Sequence, residues 1–256
     1  MTTEFSLIHG PGDLFSPIPL GNTLLPPSLR PLRAGLSLEK AGDMALARRF
    51  EIPDRARFLD AMGIPSERAV GLHQVHSKTV VVVNRQEPQS LADVDADGLV
   101  TSRPDVFLTV TVADCLPVFL VDEATGAFGL VHSGWKGTGI VVEALRVMAE
   151  AFGTQARDVA AVIGPGIGPC CYTVSGERYE RFRAGFGEHA AVRGAAGDYR
   201  LDLRAANVRL MESAGVKRIL AAADCTCCGA GLASFRREGQ GFRRMLAFIG
   251  RQGEAP

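Results

Sequence analysis

Residues 107–138 read FLTVTVADCLPVFLVDEATGAFGLVHSGWKGT, and two strand-like runs that each end at a reactive residue lie within them. Val106, Leu108, Val110 and Val112 alternate with Phe107, Thr109 and Thr111, the period of two expected of a strand with unlike faces. The run closes at Ala113-Asp114-Cys115-Leu116-Pro117, where Pro117 has no N–H for a ladder and predicts a break or an edge. A second apolar run, Phe128 to Val131, leads into His132-Ser133-Gly134-Trp135. Gly134 and Gly137 then open an amphipathic helix with Val141, Leu145, Met148 and Phe152 on one face. A thiol and an imidazole, each just past a strand end, are placed to converge.

Upstream, Leu72-His73-Gln74-Val75-His76-Ser77 precedes another strand-like run, Thr79 to Val83. A His/Cys/His set offers nitrogen and sulfur donors that suit zinc or copper. Three protein ligands leave a fourth position for water, the arrangement of catalytic rather than structural zinc. The three residues are far apart in sequence, unlike paired C-x-x-C ligands. The spacing by itself therefore favours a buried cysteine and hydrogen-bonded histidines without metal over a ligand set.

The chain of 256 residues can bury a substantial core as one large domain or two small ones. No linker divides it, no solenoid or propeller period recurs, and motifs from both halves serve one site, so a single domain over 1–256 is expected. Equal counts of basic and acidic residues, 28 each, point to neither nucleic acid nor an anionic membrane as partner. No apolar run reaches membrane-spanning length and no leader-like segment opens the chain. Six cysteines in this length are too few for a disulfide framework and read as reduced, cytoplasmic thiols.

The strings HQVHS, ADGLVTSRP, TVADCLPV, LVHSGWKGT, IGPGIGPCCYTV and SFRRE, in this order, resemble the bacterial YfiH or laccase-domain family. The resemblance runs from about Gly71 to Gly250. Members have been called multicopper polyphenol oxidases, purine nucleoside phosphorylases and peptidoglycan editing factors. The resemblance implies an α+β fold of mixed sheets flanked by helices, a layered sandwich that sequence pattern alone does not separate from a doubly wound sheet. It also implies that His76, Cys115 and His132 are zinc ligands and catalytic residues, with copper a second possibility for the metal.

The remaining segments carry weaker signals. Residues 10–33, rich in Pro and Gly, read as loop or extended coil. Leu38 to Met62 reads as helix, interrupted or restarted at Pro53. Residues 86–96 read as a polar connection. Asp93, Asp95 and Asp97 alternate but lack the Gly and distal Glu of an EF-hand, and Asp97-Gly98 reads as a turn feeding a strand. Ile163 to Pro169, a Gly-rich loop after the strand-like Val159 to Val162, matches neither a Walker nor a Rossmann fingerprint. By resemblance it borders the active site, which makes Gly164 and Gly166 candidate substrate-binding residues. Cys170 and Cys171 read as a buried thiol pair, and Asp224-Cys225-Thr226-Cys227-Cys228 lacks a partner motif for a second metal. Asn207, on the apolar face of a helix over 201–214, reads as a structural hydrogen bond. Arg236, in Ser234-Phe235-Arg236-Arg237-Glu238, and Lys136 are candidates for holding phosphate or a ribose hydroxyl. Arg243 and Arg244 read as a solvated face.

The resemblance most directly implies a zinc-dependent enzyme acting on purine nucleosides with phosphate, phosphorolysing adenosine, inosine or methylthioadenosine and deaminating adenosine. The alternatives are a peptidoglycan-precursor hydrolase, a copper-dependent polyphenol oxidase and a non-catalytic metal-binding module. The chain departs from the family near its N-terminus. After His9-Gly10 it reads Pro11-Gly12-Asp13-Leu14-Phe15-Ser16-Pro17 in place of a T-R-x-G-G loop, and Ala47-Arg48-Arg49 replaces the usual Asn-Arg pair. Lys136 stands where Arg is common, exchanging a planar fork for a point charge. Family-like zinc binding with reduced or shifted nucleoside activity is expected, unless Arg30 or Arg33 fills the gap.

Overall fold

A computed structural model describes residues 2–7, 9, 13–20, 32–46, 53–84 and 91–251. Its frame is two sheets packed face to face. The larger has seven strands: β1 (Thr2–Phe5), β5 (Val80–Val82), β6 (Gly98–Thr101), β8 (Leu116–Asp122), β9 (Phe128–Ser133), β10 (Val159–Ile163) and β13 (Arg218–Ala222). Their order across the sheet is β1-β13-β10-β8-β9-β6-β5, antiparallel at the centre and parallel at both margins. The smaller sheet orders β2 (Phe15–Pro17), β3 (Leu32–Ser37), β14 (Met245–Arg251), β7 (Phe107–Val112) and β4 (Ala69–Val70). A short ribbon pairs β11 (Ala191–Arg193) with β12 (Tyr199–Leu201).

Strand alternation assigns each side chain to a layer. Leu108, Val110 and Val112 of β7 meet Phe119 and Val121 of β8 and Phe128 and Leu130 of β9 between the sheets. The opposite face of the large sheet, Val118 and Leu120 among others, packs under α2 (Ile140–Phe152), α3 (Gly176–Phe186) and α4 (Leu203–Ser213). Val141, Leu145 and Met148 form the buried stripe of α2, as their spacing predicts. Outside the small sheet, Phe58 and Leu59 of α1 (Pro53–Ala61) cover Phe107, Leu246 and Phe248. The α+β layered sandwich that the family resemblance implied is what the chain adopts. Among the described residues no helix is long and apolar enough to cross a membrane.

Several local expectations are corrected. Pro117 breaks nothing. It lies inside β8, a central strand, opposite His132 of β9. Its carbonyl accepts from Gly164 N at 2.8 Å, just past the end of β10. A strand residue's N–H and C=O point the same way, so the missing donor faces the end of β10 rather than a ladder rung. The stretch expected to be loop contains β2 and part of β3, the margin of the small sheet, while residues 10–12 and 21–31 lie outside the described residues. Within the expected helix over 38–62, the described residues form a 3₁₀ turn at Glu39–Ala41 and α1, which starts at Pro53. Proline at the first helical position loses no hydrogen bond, and the Asp54 carboxylate instead accepts from Asp43 N at 3.0 Å. Residues 47–52, including Ala47-Arg48-Arg49, lie outside the described residues.

Candidate active site

The chain leaves the small sheet at the end of β7 and enters the large one at the start of β8, and Cys115 sits in that crossing. His132 is near the end of β9, beside it. His76 comes from the loop between β4 and β5. One donor atom from each of His76, Cys115 and His132 lies within 4.8 Å of the others. The two rings meet edge to face at 4.9 Å. Gly134 makes this approach possible, because a Cβ there would stand 2.6 Å from Cys115 Sγ and 3.3 Å from His76 Cδ2.

Two non-glycine residues among those described have positive φ, His76 (60°) and Asp114 (86°), and both belong to this site. Each needs outside support, since such backbone is sparsely populated even for His and Asp. Asp97 supplies it on one side. Fully buried, its Oδ1 accepts from His76 N (3.0 Å) and contacts His132 Nδ1 (2.8 Å). Its Oδ2 accepts from Val75 N (3.2 Å), Ser77 N (2.6 Å) and Ser77 Oγ (2.8 Å). On the other side, Asp114 accepts from Thr226 Oγ1 at 2.6 Å and from Arg236 N at 2.7 Å. Gln74 fastens the His76 loop to β7, accepting from Thr111 N and Thr111 Oγ1 and donating to Thr111 O, with distances of 2.8–2.9 Å. The sequence reading of Asp97 as a turn residue misses its main part: one carboxylate orients His132 and folds the 75–77 backbone around itself.

The electrostatics match this arrangement. Burial pushes the Asp97 carboxyl up, but the hydrogen bonds from His132 and Ser77 outweigh it and hold it at about 2. Burial also pushes the Cys115 thiol up, and the charge and hydrogen bonds of His132 and His76 reverse this, bringing it to about 6. Burial favours a neutral His132, yet the adjoining Cys115 and Asp97 raise it to about 9. With Asp97 on Nδ1, His132 turns Nε2 toward Cys115 and His76, the orientation of an imidazole that ligates a metal. A thiolate and two imidazoles are a donor set that could hold a metal ion.

These side chains form part of the wall of a cavity of about 660 Å3. Among the described residues, four cationic side chains line it: Lys136, Arg178, Arg236 and Arg244. Lys136 and Arg178 lie over the Trp135 ring at 5.8 and 4.4 Å. Arg236 lies over Tyr172 at 5.3 Å and donates to Cys171 O and Thr173 O. Phe235 and Phe242, edge to face at 5.0 Å, give the cavity an aromatic margin.

The expected substrate residues divide. Lys136 and Arg236 line the cavity, and Ile167 represents the Gly-rich loop there. Gly164 and Gly166 are not among the lining residues. They stand behind the wall, where a Cβ at Gly164 would meet Pro117 and one at Gly166 would meet Leu116. Arg244, read as a solvated face, lines the cavity and pairs with Asp43 at 3.5 Å. Arg33 donates to Met62 O at 3.1 Å and is not a lining residue, and Arg30 lies outside the described residues. Asn207 is fully buried with its amide paired, accepting from Ser133 Oγ at 3.1 Å and donating to Leu203 O at 2.8 Å. Cys170 and Cys171 are not a buried pair: Cys170 is exposed and Cys171 half-buried, and both stand beside Cys225 and Cys228.

The family model described as multi-copper polyphenol oxidoreductase laccase matches residues 52–252. The chain belongs to this family. A Mycobacterium tuberculosis protein named purine nucleoside phosphorylase is 39% identical over 193 residues, covering 72% of this chain and 73% of that protein. A Deinococcus radiodurans protein of the same name is 36% identical over 85% of this chain and 82% of its own. The crystal structure of YlmD from Geobacillus stearothermophilus matches with a TM-score of 0.84 at 29% identity, over 97% of this chain and all of that one. Bacillus licheniformis hypothetical protein YfiH matches with a TM-score of 0.79, also at 29% identity, over 87% and 94% of the two chains. For this laccase-domain chain a metal is thus implied by the family name as well as by the His/Cys/His donors.

Arg178 is the cavity residue that sequence reasoning had no means to find. It belongs to α3, among several surface arginines, and only the packing of α3 beside Trp135 distinguishes it.

Proposed function

We propose that this chain is a zinc-dependent purine nucleoside phosphorylase that works as a single unit, with His76, Cys115 and His132 holding the ion. One observation carries the reading: a His/Cys/His donor set, oriented by a buried Asp97, opens into a cavity lined by four cationic side chains. Borderline-soft thiolate and imidazole donors suit zinc, and copper where copper is supplied. When bound, the ion would supply Lewis acidity and lower the pKa of a coordinated water toward about 7.

The chain's own residues bind and orient. Among the described residues, neither Lys136 nor Arg236 has a carboxylate on its cationic group, so both have charge to offer a phosphate. Arg178, held against Trp135, adds a planar fork that can pair with two phosphate oxygens. Phe235 and Phe242 offer aromatic surface to a purine. In phosphorolysis a phosphate oxygen bonds to the ribose anomeric carbon, and the bond to the base breaks with its electron pair going to the base nitrogen. Holding phosphate and nucleoside together in this cavity is the largest service the side chains can render. Slow conversion of adenosine to inosine, independent of phosphate, is a second expected reaction of the same site.

A multicopper oxidase reading fits less well, because the sequence has five histidines in all and an oxygen-reducing copper cluster requires many. The test is product chromatography with adenosine, inosine and methylthioadenosine, with and without phosphate. Free base and ribose 1-phosphate should rise with phosphate. No change in any purine nucleoside, with metal fully loaded, would refute the reading in favour of wall-precursor hydrolysis. Lys136→Ala combined with Arg178→Ala should raise the KM for phosphate by at least about tenfold, as lost charge-assisted hydrogen bonds require. Because the family's T-R-x-G-G loop is replaced here, kcat/KM should lie below that of a relative that keeps it. Equal values on all three nucleosides would sink that expectation.

A further inference from the structure

Behind the cavity wall, the turn after β13 meets the end of the Gly-rich loop after β10, and four cysteines come together. We propose that Cys170, Cys171, Cys225 and Cys228 form a second zinc site, structural and independent of the first. Their Sγ atoms all lie within 4.8 Å of one another. Zn–S bonds of about 2.3 Å in a tetrahedron place the sulfurs about 3.8 Å apart. Cys170 Sγ and Cys228 Sγ stand 3.8 Å apart, close to a tetrahedral edge and far from the about 2.05 Å of a disulfide.

The surroundings are those of a built site. Cys225 and Cys228 have the C-x-x-C spacing of zinc ligand pairs, in a turn closed by Gly229 N donating to Cys225 O at 2.7 Å. Gly168 N donates to Cys225 Sγ at 3.2 Å, the kind of supporting contact that orients a thiolate ligand. The two loops are stitched by backbone, with Thr226 N donating to Gly166 O at 3.1 Å. Arginines tie down the carbonyls on both sides: Arg200 those of Pro169 and Cys170, Arg236 that of Cys171, Arg237 those of Thr226 and Cys227. Ordinary burial of cysteine accounts only for Cys225, because Cys170 and Cys228 are exposed and Cys171 is half-buried. A disulfide would engage two of the four and leave the others unexplained.

The site has a purpose in the fold. The knot holds Thr226, whose hydroxyl supports Asp114 and hence the backbone that presents Cys115. Metal bound here would stabilise the crossing between the sheets without touching substrate.

Zinc content of the full chain, measured by mass spectrometry after desalting, should be about two per chain. Cys115→Ala should keep about one, Cys170→Ser with Cys228→Ser should keep about one, and the three substitutions together should leave none. The ion retained by Cys115→Ala reports the four-cysteine site alone, so failure of the nucleoside reading leaves this count untouched. X-ray absorption at the zinc edge of the unaltered protein needs no variant to fold. It should average about two and a half sulfurs per zinc, against about one if only the His/Cys/His site binds. One zinc per chain with about one sulfur, or an intact-mass loss showing a Cys170–Cys228 disulfide, would overturn the proposal.

Discussion

Asp97→Asn is the most searching test of the site geometry. The carboxylate is buried and receives its hydrogen bonds on both oxygens: His76 N and His132 Nδ1 on Oδ1, Val75 N, Ser77 N and Ser77 Oγ on Oδ2. Asparagine keeps the shape but replaces one acceptor oxygen with a donor. If the amide nitrogen takes the Oδ2 position, two backbone N–H groups face another donor. Each unpaired buried donor costs about 1–3 kcal/mol, so a loss of about 2–6 kcal/mol in stability follows. If it takes the Oδ1 position, His76 N is orphaned and His132 shifts to the tautomer with its proton on Nε2. That proton occupies the nitrogen needed for a metal, and loss of such a supporting partner typically lowers affinity about 10–100-fold. Urea denaturation measures the first effect, and competition with a chromophoric chelator the second. An Asp97→Asn protein within about 0.5 kcal/mol of the parent and within threefold in zinc affinity would refute this reasoning.

Gly134→Ala places a methyl 2.6 Å from Cys115 Sγ, so the His/Cys/His donor atoms must part; if they hold zinc as proposed, zinc affinity should fall at least about tenfold by the same chelator assay. Affinity should also depend on pH in a defined way. The Cys115 thiol, lowered from 9.0 to about 6, is ionised above pH 6, whereas His132, raised from 6.5 to about 9, keeps its proton until pH 9. The metal-free pair thus holds one proton in that window, and the metal must displace it. The logarithm of the affinity should therefore rise by about one per pH unit from 6 to 9 and flatten above, and a flat profile from pH 6.5 to 8.5 would contradict the pairing. Phe248→Ala removes a ring packed at 6.2 Å from Phe58 and 6.5 Å from Phe107, and should cost about 3–5 kcal/mol in urea denaturation. A cost under about 1 kcal/mol would mean that the layer between α1 and the small sheet is loosely packed.

Wherever the determinant was periodicity within one segment, the sequence alone decided it. The alternation through Val112, the run from Phe128 and the stripe Val141, Leu145, Met148 correspond to β7, β9 and α2, because side chains that must share a face repeat at the period of the element. Short elements escaped this reading: β4 spans two residues and β2 three, too few for a period to register. By resemblance, the motif strings likewise single out His76, Cys115 and His132 as one set.

What only the tertiary structure decided depends on contacts between segments remote in the chain. Pro117 is tolerated in a central strand because β10 ends where its N–H would have pointed, which no property of residues 116–122 reveals. Asp97 reads as a turn residue until the 75–77 backbone and His132 close around it, and Arg178 is one surface arginine among several until α3 packs beside Trp135. Cys170-Cys171 and Cys225-x-x-Cys228 each lack a partner in their own neighbourhood. They become one cluster because β10 and β13 are parallel neighbours in the sheet, and parallel strands deliver the loops that follow them to the same edge.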